Sequence, residues 1–175
     1  MNTVLLEKHS GYAVVTLNRP DAMNALSREL RADFVSAFDT CCEDPDIRVV
    51  ILSGNGKAFC AGQDLKEAID PDNGLDLPRI LAEHYNPIIR QIRALEKPVL
   101  CAVNGVAAGA GANIALACDI VVASEKASFL QAFAHIGLIP DSGGTYTLPR
   151  LIGWQKASAL MMLGEKLPAA EAESL

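Results

Sequence analysis

The sequence lacks an excess of basic residues. Its 15 Lys and Arg are outnumbered by 21 Asp and Glu, which gives a net charge of −6. Without a Lys/Arg cluster, this balance argues against a surface for nucleic acid or for an anionic membrane. One small polyanionic ligand is still compatible with it, because a few local cations and helix N-termini can bind such a ligand. Disorder is excluded as well, since 50% of the residues are hydrophobic.

The cysteines form no Cys-x-x-Cys pair, and the sequence shows no secretion signal. The five cysteines are odd in number, and the three histidines are scattered, so neither a disulfide framework nor a metal site is predicted. The N-terminus, MNTVLLEKHS, lacks the basic start and the long apolar stretch of a signal peptide. We therefore expect reduced, mostly buried thiols, no metal and a cytoplasmic protein.

Apolar strand patterns alternate with helical patterns along the chain, which is typical of an α/β fold. Ser27 is a typical N-cap for a helix that ends near Asp44, and a second helix is predicted from Pro78 to Leu95. The polar stretch Asp70–Pro78 before it is expected to be a surface loop. Strands are predicted at Val4–Glu7, Ala13–Leu17, Arg48–Ser53, Val99–Val103 and Asp119–Ala123.

The stretch Val99–Cys118 admits two interpretations, because Asn104 and Asn113 are its only strongly polar residues. Its length, and the Gly105-x-x-x-Gly109 spacing, are those of a dimerising transmembrane helix. The Asn104-Gly105 pair is instead a strong turn signal. We therefore predict a strand, a turn and a helix here.

Three segments could carry chemistry, and each also has a purely structural explanation. Asn104–Asn113 brings small residues to the start of a helix, where a ligand can approach backbone N–H groups, yet the same residues suit a packing turn. The glycine turn within Lys57–Lys66 could add a second N–H and complete an oxyanion hole, or it could be a plain turn. In Gly137–Thr145, Asp141 is either a helix cap or a general base with a raised pKa.

Taken together, these segments resemble, in order and spacing, the enoyl-CoA hydratase/isomerase (crotonase) family. Leu17–Leu26 and Ala117–Ala123 match as well, so the likeness covers essentially the whole chain. Gly105–Gly111 and Ala132–Thr145 look most like the isomerase branch of phenylacetate catabolism. Enzymes of that branch act on ring-epoxide and unsaturated acyl-CoA thioesters.

The resemblance implies a single crotonase-like core domain over residues 1–175, built as a spiral of β-β-α units. It also implies an oxyanion hole made by the backbone N–H groups of Gln63 and Ala110. Coenzyme A would arrive as part of an acyl-CoA substrate, with no separate cofactor. The residues expected along the coenzyme A moiety are Ala22, Asn24, Gly62, Asp64, Leu65 and Lys66.

The chain departs from the family pattern at the acid/base positions. Family hydratases use two glutamates, and the matching positions here hold Asn113 and Phe133. A carboxylate occurs instead at Asp141, where related isomerases place a catalytic Asp. We therefore expect an acyl-CoA double-bond or ring-epoxide isomerase in which Asp141 transfers the proton. The alternatives are an enoyl-CoA hydratase with unusual catalytic groups and a catalytically inactive, acyl-CoA-binding member of the family.

A second departure lies at the C-terminus, where Glu171–Leu175 falls inside what resembles an early C-terminal helix. Relatives continue through further helices that pack between the subunits of a trimer. We therefore expect a shortened helical part with exposed apolar surface, together with either weak stability or unusual homo-oligomerisation.

Overall fold

A computed structural model of the protein describes residues 3–64, 67 and 77–175. Within these ranges the strands are β1 (Val4–His9), β2 (Gly11–Leu17), β3 (Ile47–Gly54), β4 (Ala58–Cys60), β5 (Val99–Val103), β6 (Val106–Ala108), β7 (Ile120–Ala123), β8 (Ser128–Leu130) and β9 (Lys166–Pro168). The helices are α1 (Arg28–Glu43), α2 (Leu77–Ile80), α3 (Asn86–Ala94), α4 (Ala110–Ala117), α5 (Gly144–Ile152), α6 (Trp154–Leu163) and α7 (Ala169–Glu173). Leu81–Tyr85 is a π-helical turn that joins α2 to α3, and Pro20–Ala22 and Ala132–Ile136 are 3₁₀ turns.

The first sheet holds the strands whose apolar residues alternate most clearly. Its strands lie side by side in the order β1, β2, β3, β5, β7. β1 and β2 form an antiparallel hairpin, and the remaining neighbours pair in parallel. Parallel neighbours need a crossover connection, which α1 supplies between β2 and β3.

Helix α1 shows how the sequence pattern becomes packing. Ser27 caps its start, with the Ser27 Oγ accepting the backbone N–H of Leu30 at 3.2 Å. Leu30, Phe34, Phe38 and Cys41 recur at helical spacing and are fully buried. Burial of a large apolar side chain contributes about 1.5–3 kcal/mol. This apolar face therefore holds α1 against the first sheet.

The second sheet positions the candidate site. Its strands lie in the order β4, β6, β8, β9, and β4, β6 and β8 run parallel to one another. The carboxyl ends of parallel strands meet at one edge of a sheet. The segments that follow these strands therefore start side by side, and they carry Gln63, Ala110 and Phe133.

The predicted strands and both predicted helices are confirmed, with ends that shift by one or two residues. Val99–Cys118 is a strand, a turn and a helix as predicted, but the strand β6 lies between the turn and α4. The sequence patterns do not predict β4, β6, β8 or β9, because a three-residue strand shows too little alternation. Of the predicted surface loop Asp70–Pro78, only the last two residues lie in the described ranges.

All five cysteines lie in the described part of the chain and are free thiols. Four are buried, and Cys42 is exposed. The expectation of mostly buried thiols is therefore confirmed. Within residues 3–64, 67 and 77–175, no helical segment has the length and apolar character needed to span a bilayer.

Large apolar side chains are exposed along α5 and α6, as expected from the sequence. The most exposed are Trp154 at 71% and Met162 at 74%. Tyr146, Leu151 and Leu163 also present more than half of their surface to solvent. Helix α5 packs against α4, so this exposed face adjoins the elements that build the candidate site.

Gly111 in α4 offers a test of how tightly α4 packs on the second sheet. In an ordinary exposed helix, Gly→Ala stabilises by about 1 kcal/mol. Here an added Cβ would lie 2.7 Å from the Cys60 Cβ and 2.8 Å from its Sγ. We therefore expect Gly111→Ala to lower the free energy of unfolding by about 1–3 kcal/mol in urea titrations. An increase in that free energy would contradict the packing described here.

Candidate active site

The segment that follows β4 is fixed by hydrogen bonds to the turn after β2. The Ala61 N–H donates to the Met23 carbonyl at 3.0 Å, and the Leu26 N–H donates to the Gly62 carbonyl at 2.8 Å. Leu26 and Gln63 form a parallel β-bridge. Two segments that are distant in sequence therefore hold Gln63 in one place.

The direction of the Gln63 N–H follows from these bonds. A trans peptide is planar, and its C=O and N–H point to opposite sides. Because the Gly62 carbonyl points at Leu26, the Gln63 N–H points away from Leu26. Gly62 has a φ of +87°, and a Cβ on it would lie 2.8 Å from the Ala108 oxygen and 3.4 Å from the Ala110 nitrogen. The Gly62 backbone therefore lies directly against the start of α4.

Ala110 supplies the second N–H. It is the first residue of α4, so its N–H has no carbonyl acceptor one turn earlier in the helix. The preceding Gly109 has a φ of +54°, and its own N–H donates to the Leu130 carbonyl at 2.8 Å. The N–H groups of Gln63 and Ala110 thus belong to facing backbones, as an oxyanion hole requires.

Asp141 lies in the turn before α5. Burial raises the pKa of its carboxyl group, and a hydrogen bond from Ser142 opposes that rise. In that bond the Ser142 Oγ–H donates to the Asp141 Oδ1 at 2.8 Å. Ser142 is buried and has a φ of +50°, which is uncommon for a residue with a side chain. Strained backbone of this kind persists where the surrounding structure holds it.

Asn113 ties the Asp141 turn to the helix that carries Ala110. Its Nδ2–H donates to the Asp141 carbonyl at 2.8 Å, and its Oδ1 accepts from the Gln131 Nε2 at 2.8 Å. The Asn113 side chain is 1% exposed. The position that holds a glutamate in family hydratases is therefore occupied here by a neutral amide with a partner at each end.

Phe133, the second replaced position, forms an apolar wall. It is buried, and its ring lies 3.7 Å from the point where a Cβ on Gly109 would stand. The ring thus lines the turn that presents the Ala110 N–H. Asn113, Phe133 and Asp141 are brought together around that turn.

The predicted coenzyme A contacts divide into two groups. The Asn24 side chain is fully buried; it accepts from the Arg19 N–H and donates to the carbonyls of Asn55 and Ala58. It therefore builds the turn after β2, and only its backbone is left to face a ligand. Ala22 is half-buried in the 3₁₀ turn at Pro20–Ala22.

The remaining predicted contacts lie on the segment after β4. Asp64 forms an ion pair with Arg19 at 2.9 Å, and Gly62 fixes the approach to α4. This ion pair links the two segments on which the contacts were predicted. Leu65 and Lys66 lie outside the described residues.

Sequence reasoning missed Tyr85 and Arg31, and it considered Ser142 only as a possible helix cap. Tyr85 is 1% exposed, and burial raises the pKa of its hydroxyl, while the nearby Arg31 cation opposes the rise. A signal for Tyr85 exists, because it precedes the buried Ile88 and Ile92 at helical spacing. The left-handed backbone of Ser142 has no such signal.

The described residues contain no group of three or more His, Cys, Asp or Glu side chains that could hold a metal ion. The site instead offers the backbone N–H groups of Gln63 and Ala110, the Asp141 carboxyl group of raised pKa and the apolar ring of Phe133. These parts suit the stabilisation of negative charge on a carbonyl oxygen with proton transfer nearby.

A model of the family described as enoyl-CoA hydratase/isomerase matches residues 7–175. The chain belongs to the enoyl-CoA hydratase/isomerase family. It is 45% identical over 171 residues to a Rhodobacter capsulatus protein named "Probable enoyl-CoA hydratase". It is 44% identical over 174 residues to the 1,2-epoxyphenylacetyl-CoA isomerase of Escherichia coli K12.

The solved structures of the family share this fold. The crystal structure of an enoyl-CoA hydratase from Bacillus anthracis matches with a TM-score of 0.89 at 34% identity, over 98% of this chain and 67% of that one. The R. capsulatus and E. coli relatives are each matched by 98% of this chain. The chain spans 65% and 66% of the length of those two relatives. The crotonase-like α/β fold expected from the resemblance is therefore confirmed.

Asp141→Asn tests the electrostatics of this site through stability. A carboxyl group whose pKa is raised by folding contributes stability below its ordinary pKa and loses it as pH rises through the raised value. At neutral pH the partly buried charge of Asp141 is therefore unfavourable, and the amide removes it. We expect Asp141→Asn to raise Tm at pH 7 and to change it little near pH 4.

The control for that measurement is Asp46→Asn, which alters an exposed carboxylate and should shift Tm little at either pH. The quantity compared is the change in Tm that Asp141→Asn causes at each pH. If Tm falls at pH 7, or rises less at pH 7 than at pH 4, the result contradicts the assignment.

Proposed function

We propose that the protein is an acyl-CoA isomerase that shifts a double bond, or opens a ring epoxide, in an unsaturated acyl-CoA thioester. The observation that carries the proposal is a partly buried carboxyl group of raised pKa, Asp141, whose turn is tied by Asn113 to the helix that begins at Ala110. The name of the E. coli relative, 1,2-epoxyphenylacetyl-CoA isomerase, supports the ring-epoxide form and a place in phenylacetate catabolism.

The chemistry starts at the thioester carbonyl. Its oxygen accepts hydrogen bonds from the N–H groups of Gln63 and Ala110, which stabilise an enolate. Protons on the α carbon, or on the γ carbon through conjugation, then become acidic. The Asp141 carboxylate removes a proton from one carbon and returns it to the other, so the double bond moves and no other reactant is consumed.

The same residues disfavour hydration. Adding water across a double bond requires groups that orient and deprotonate the water, and family hydratases use two glutamates for this. The amide of Asn113 is committed to Gln131 and to the Asp141 carbonyl, and Phe133 is apolar. Phe133 also helps to exclude water, which favours a raised pKa at Asp141.

The proposal extends to substrate contacts. The coenzyme A moiety lies along the backbone of Ala22 and Asn24 and along the segment from Gly62 to Lys66. Coenzyme A enters as part of the substrate, and no other cofactor takes part.

The proposal also covers assembly and location. The protein acts in the cytoplasm and binds no nucleic acid, consistent with its net charge of −6. It assembles as a homo-oligomer, a trimer or a dimer of trimers in the presence of the family's C-terminal helices. The exposed apolar face of α5 and α6 supports the assembly proposal.

Asp141→Asn tests the proton transfer directly. The amide cannot accept the proton, so we expect the rate of 3-enoyl-CoA isomerisation to fall by about 10²–10⁴-fold. Binding of a saturated acyl-CoA, measured by calorimetry, should change little because the oxyanion donors are intact. Asp46→Asn serves as the control and should keep full activity. Loss of binding with unchanged residual turnover would contradict the role of Asp141.

Gly62→Ala tests the paired N–H groups. An added Cβ would collide with the Ala108 carbonyl and would displace the Gln63 N–H from its place opposite Ala110. Loss of one oxyanion-hole donor lowers kcat by about 10²–10³-fold. We expect a loss of that order in the isomerisation assay.

Gly153→Ala is the matched control, because Gly153 also has a positive φ but a Cβ there meets nothing within 4 Å. It should lower stability through backbone strain and leave kcat unchanged. An equal loss of kcat in both variants would show that the Gly62 effect comes from strain alone.

A further inference from the structure

The buried amide of Gln131 keeps an acceptor without a partner. Gln131 is 4% exposed, and its Oε1 has no hydrogen-bond partner among the described residues. An unpaired buried acceptor is unfavourable and rare in folded proteins. An apolar side chain of similar length, such as methionine, would avoid this cost. The advantage of a glutamine at this position must therefore come from its other end, the Nε2 group.

The Nε2 group of Gln131 fixes the orientation of a second amide. It donates to the Asn113 Oδ1 at 2.8 Å. A backbone carbonyl can only accept, so the Asn113 Nδ2 has to face the Asp141 carbonyl, as it does at 2.8 Å. The Asn113 Oδ1 then faces the other way and requires a donor. By supplying that donor, Gln131 determines which end of the Asn113 amide faces Asp141.

The Asn113 amide is the link between the Asp141 turn and a neighbouring helix. Within the described part of the chain, the other hydrogen bonds of Asp141 come from the Ser142 hydroxyl and the Gly144 N–H, and both stay inside its own turn. A Cβ on Gly144 would lie 2.7 Å from the Asn113 Cγ, so the start of α5 packs directly on this amide. A change in the orientation of Asn113 therefore displaces the turn that carries Asp141.

Gln131 is itself anchored beside one of the proposed oxyanion donors. It directly follows β8, whose last residue, Leu130, accepts the Gly109 N–H at 2.8 Å through its carbonyl. Gly109 immediately precedes Ala110, the first residue of α4. The hydrogen bonds that run from Gln131 to Asp141 therefore begin at the turn that presents the Ala110 N–H.

We propose that Gln131 is a positioning residue that holds Asp141 in place for proton transfer by fixing the orientation of the Asn113 amide. This inference rests on the proposed isomerase function and names a further residue on which that function depends. Gln131 neither touches the substrate nor moves a proton. Its effect is geometric, because a displacement of about 1 Å at a reacting group can lower a rate about 10²-fold.

Gln131→Met tests this role, because it removes the donor and keeps the length of the side chain. We expect kcat for 3-enoyl-CoA isomerisation to fall about 10–10²-fold, while KM and the affinity for a saturated acyl-CoA change little. Tm should also change little, since the variant loses the unpaired Gln131 Oε1 and gains one unpaired acceptor at Asn113. The pKa of the Asp141 carboxyl group, measured by NMR titration, should fall toward its ordinary value as the released turn becomes more exposed to water.

A double-variant cycle tests whether Gln131 acts through Asn113. Asn113→Leu replaces the amide by an apolar group of similar shape, and it removes the bond to the Asp141 carbonyl. In that background, Gln131→Met should lower kcat no further. An equal fold-loss of kcat in both backgrounds would show that Gln131 acts independently of Asn113, and it would overturn the proposal.

Gln91→Met is the matched control. Gln91 lies on α3 and also has a buried Oε1 without a partner among the described residues, while its Nε2 donates to the Val35 carbonyl at 3.0 Å. Its bonds run to α1 and not to the Asp141 turn, so kcat and the Asp141 pKa should stay unchanged in this variant.

The remaining outcomes separate positioning from other roles. If Gln131→Met leaves kcat and the Asp141 pKa unchanged, the proposal is overturned. A fall in Tm with no change in that pKa would assign Gln131 a structural role only, and a loss of acyl-CoA affinity would place it against the substrate; either result overturns the proposal. Absence of isomerisation by the unaltered protein would overturn the proposed function, whereas a lowered Asp141 pKa in Gln131→Met would still support the positioning role.

Discussion

The hydrogen bond from the Leu26 N–H to the Gly62 carbonyl is the contact on which the rest of the site depends. Peptide planarity converts this 2.8 Å bond into a direction for the Gln63 N–H. The parallel pairing of β4 with β6 then brings that N–H to the start of α4, where the Ala110 N–H has no helical acceptor. Both donors are backbone N–H groups, so their positions depend on the path of the backbone and not on the identity of a side chain.

The Asp141 carboxyl group is held by a different set of contacts. They keep it in a position where its charged form lowers the stability of the folded protein. Asp141 is kept in a partly buried position that raises its pKa, and Ser142 holds it from a left-handed backbone conformation. Asn113 fixes the Asp141 carbonyl to the helix that begins at Ala110. The elements that present the proposed base and the proposed oxyanion donors are therefore coupled, and the packing of α4 and α5 sustains the unfavourable partial burial of the carboxyl group. Such a trade of stability for function is common at enzyme sites.

Much of this could be predicted from the sequence, and the failures have physical causes. The strands of the first sheet and α1 follow from alternation, from helical spacing and from the Ser27 cap. The second sheet escapes prediction because its strands have only three residues each, and their pairing is long-range. The roles of Gln63, Ala110 and Asp141 come from the family motifs and remain predictions. Tyr85 and Arg31 were missed because their burial against each other arises only in the folded chain.

The measurement that tests the central claim most directly supplies a 3-enoyl-CoA to the protein and follows the absorbance of the conjugated 2-enoyl thioester. If one carboxyl group and two backbone donors carry the chemistry, the band rises and then persists. A rise followed by decay, with release of 3-hydroxyacyl-CoA, would show hydration and would contradict the roles given to Asn113 and Phe133.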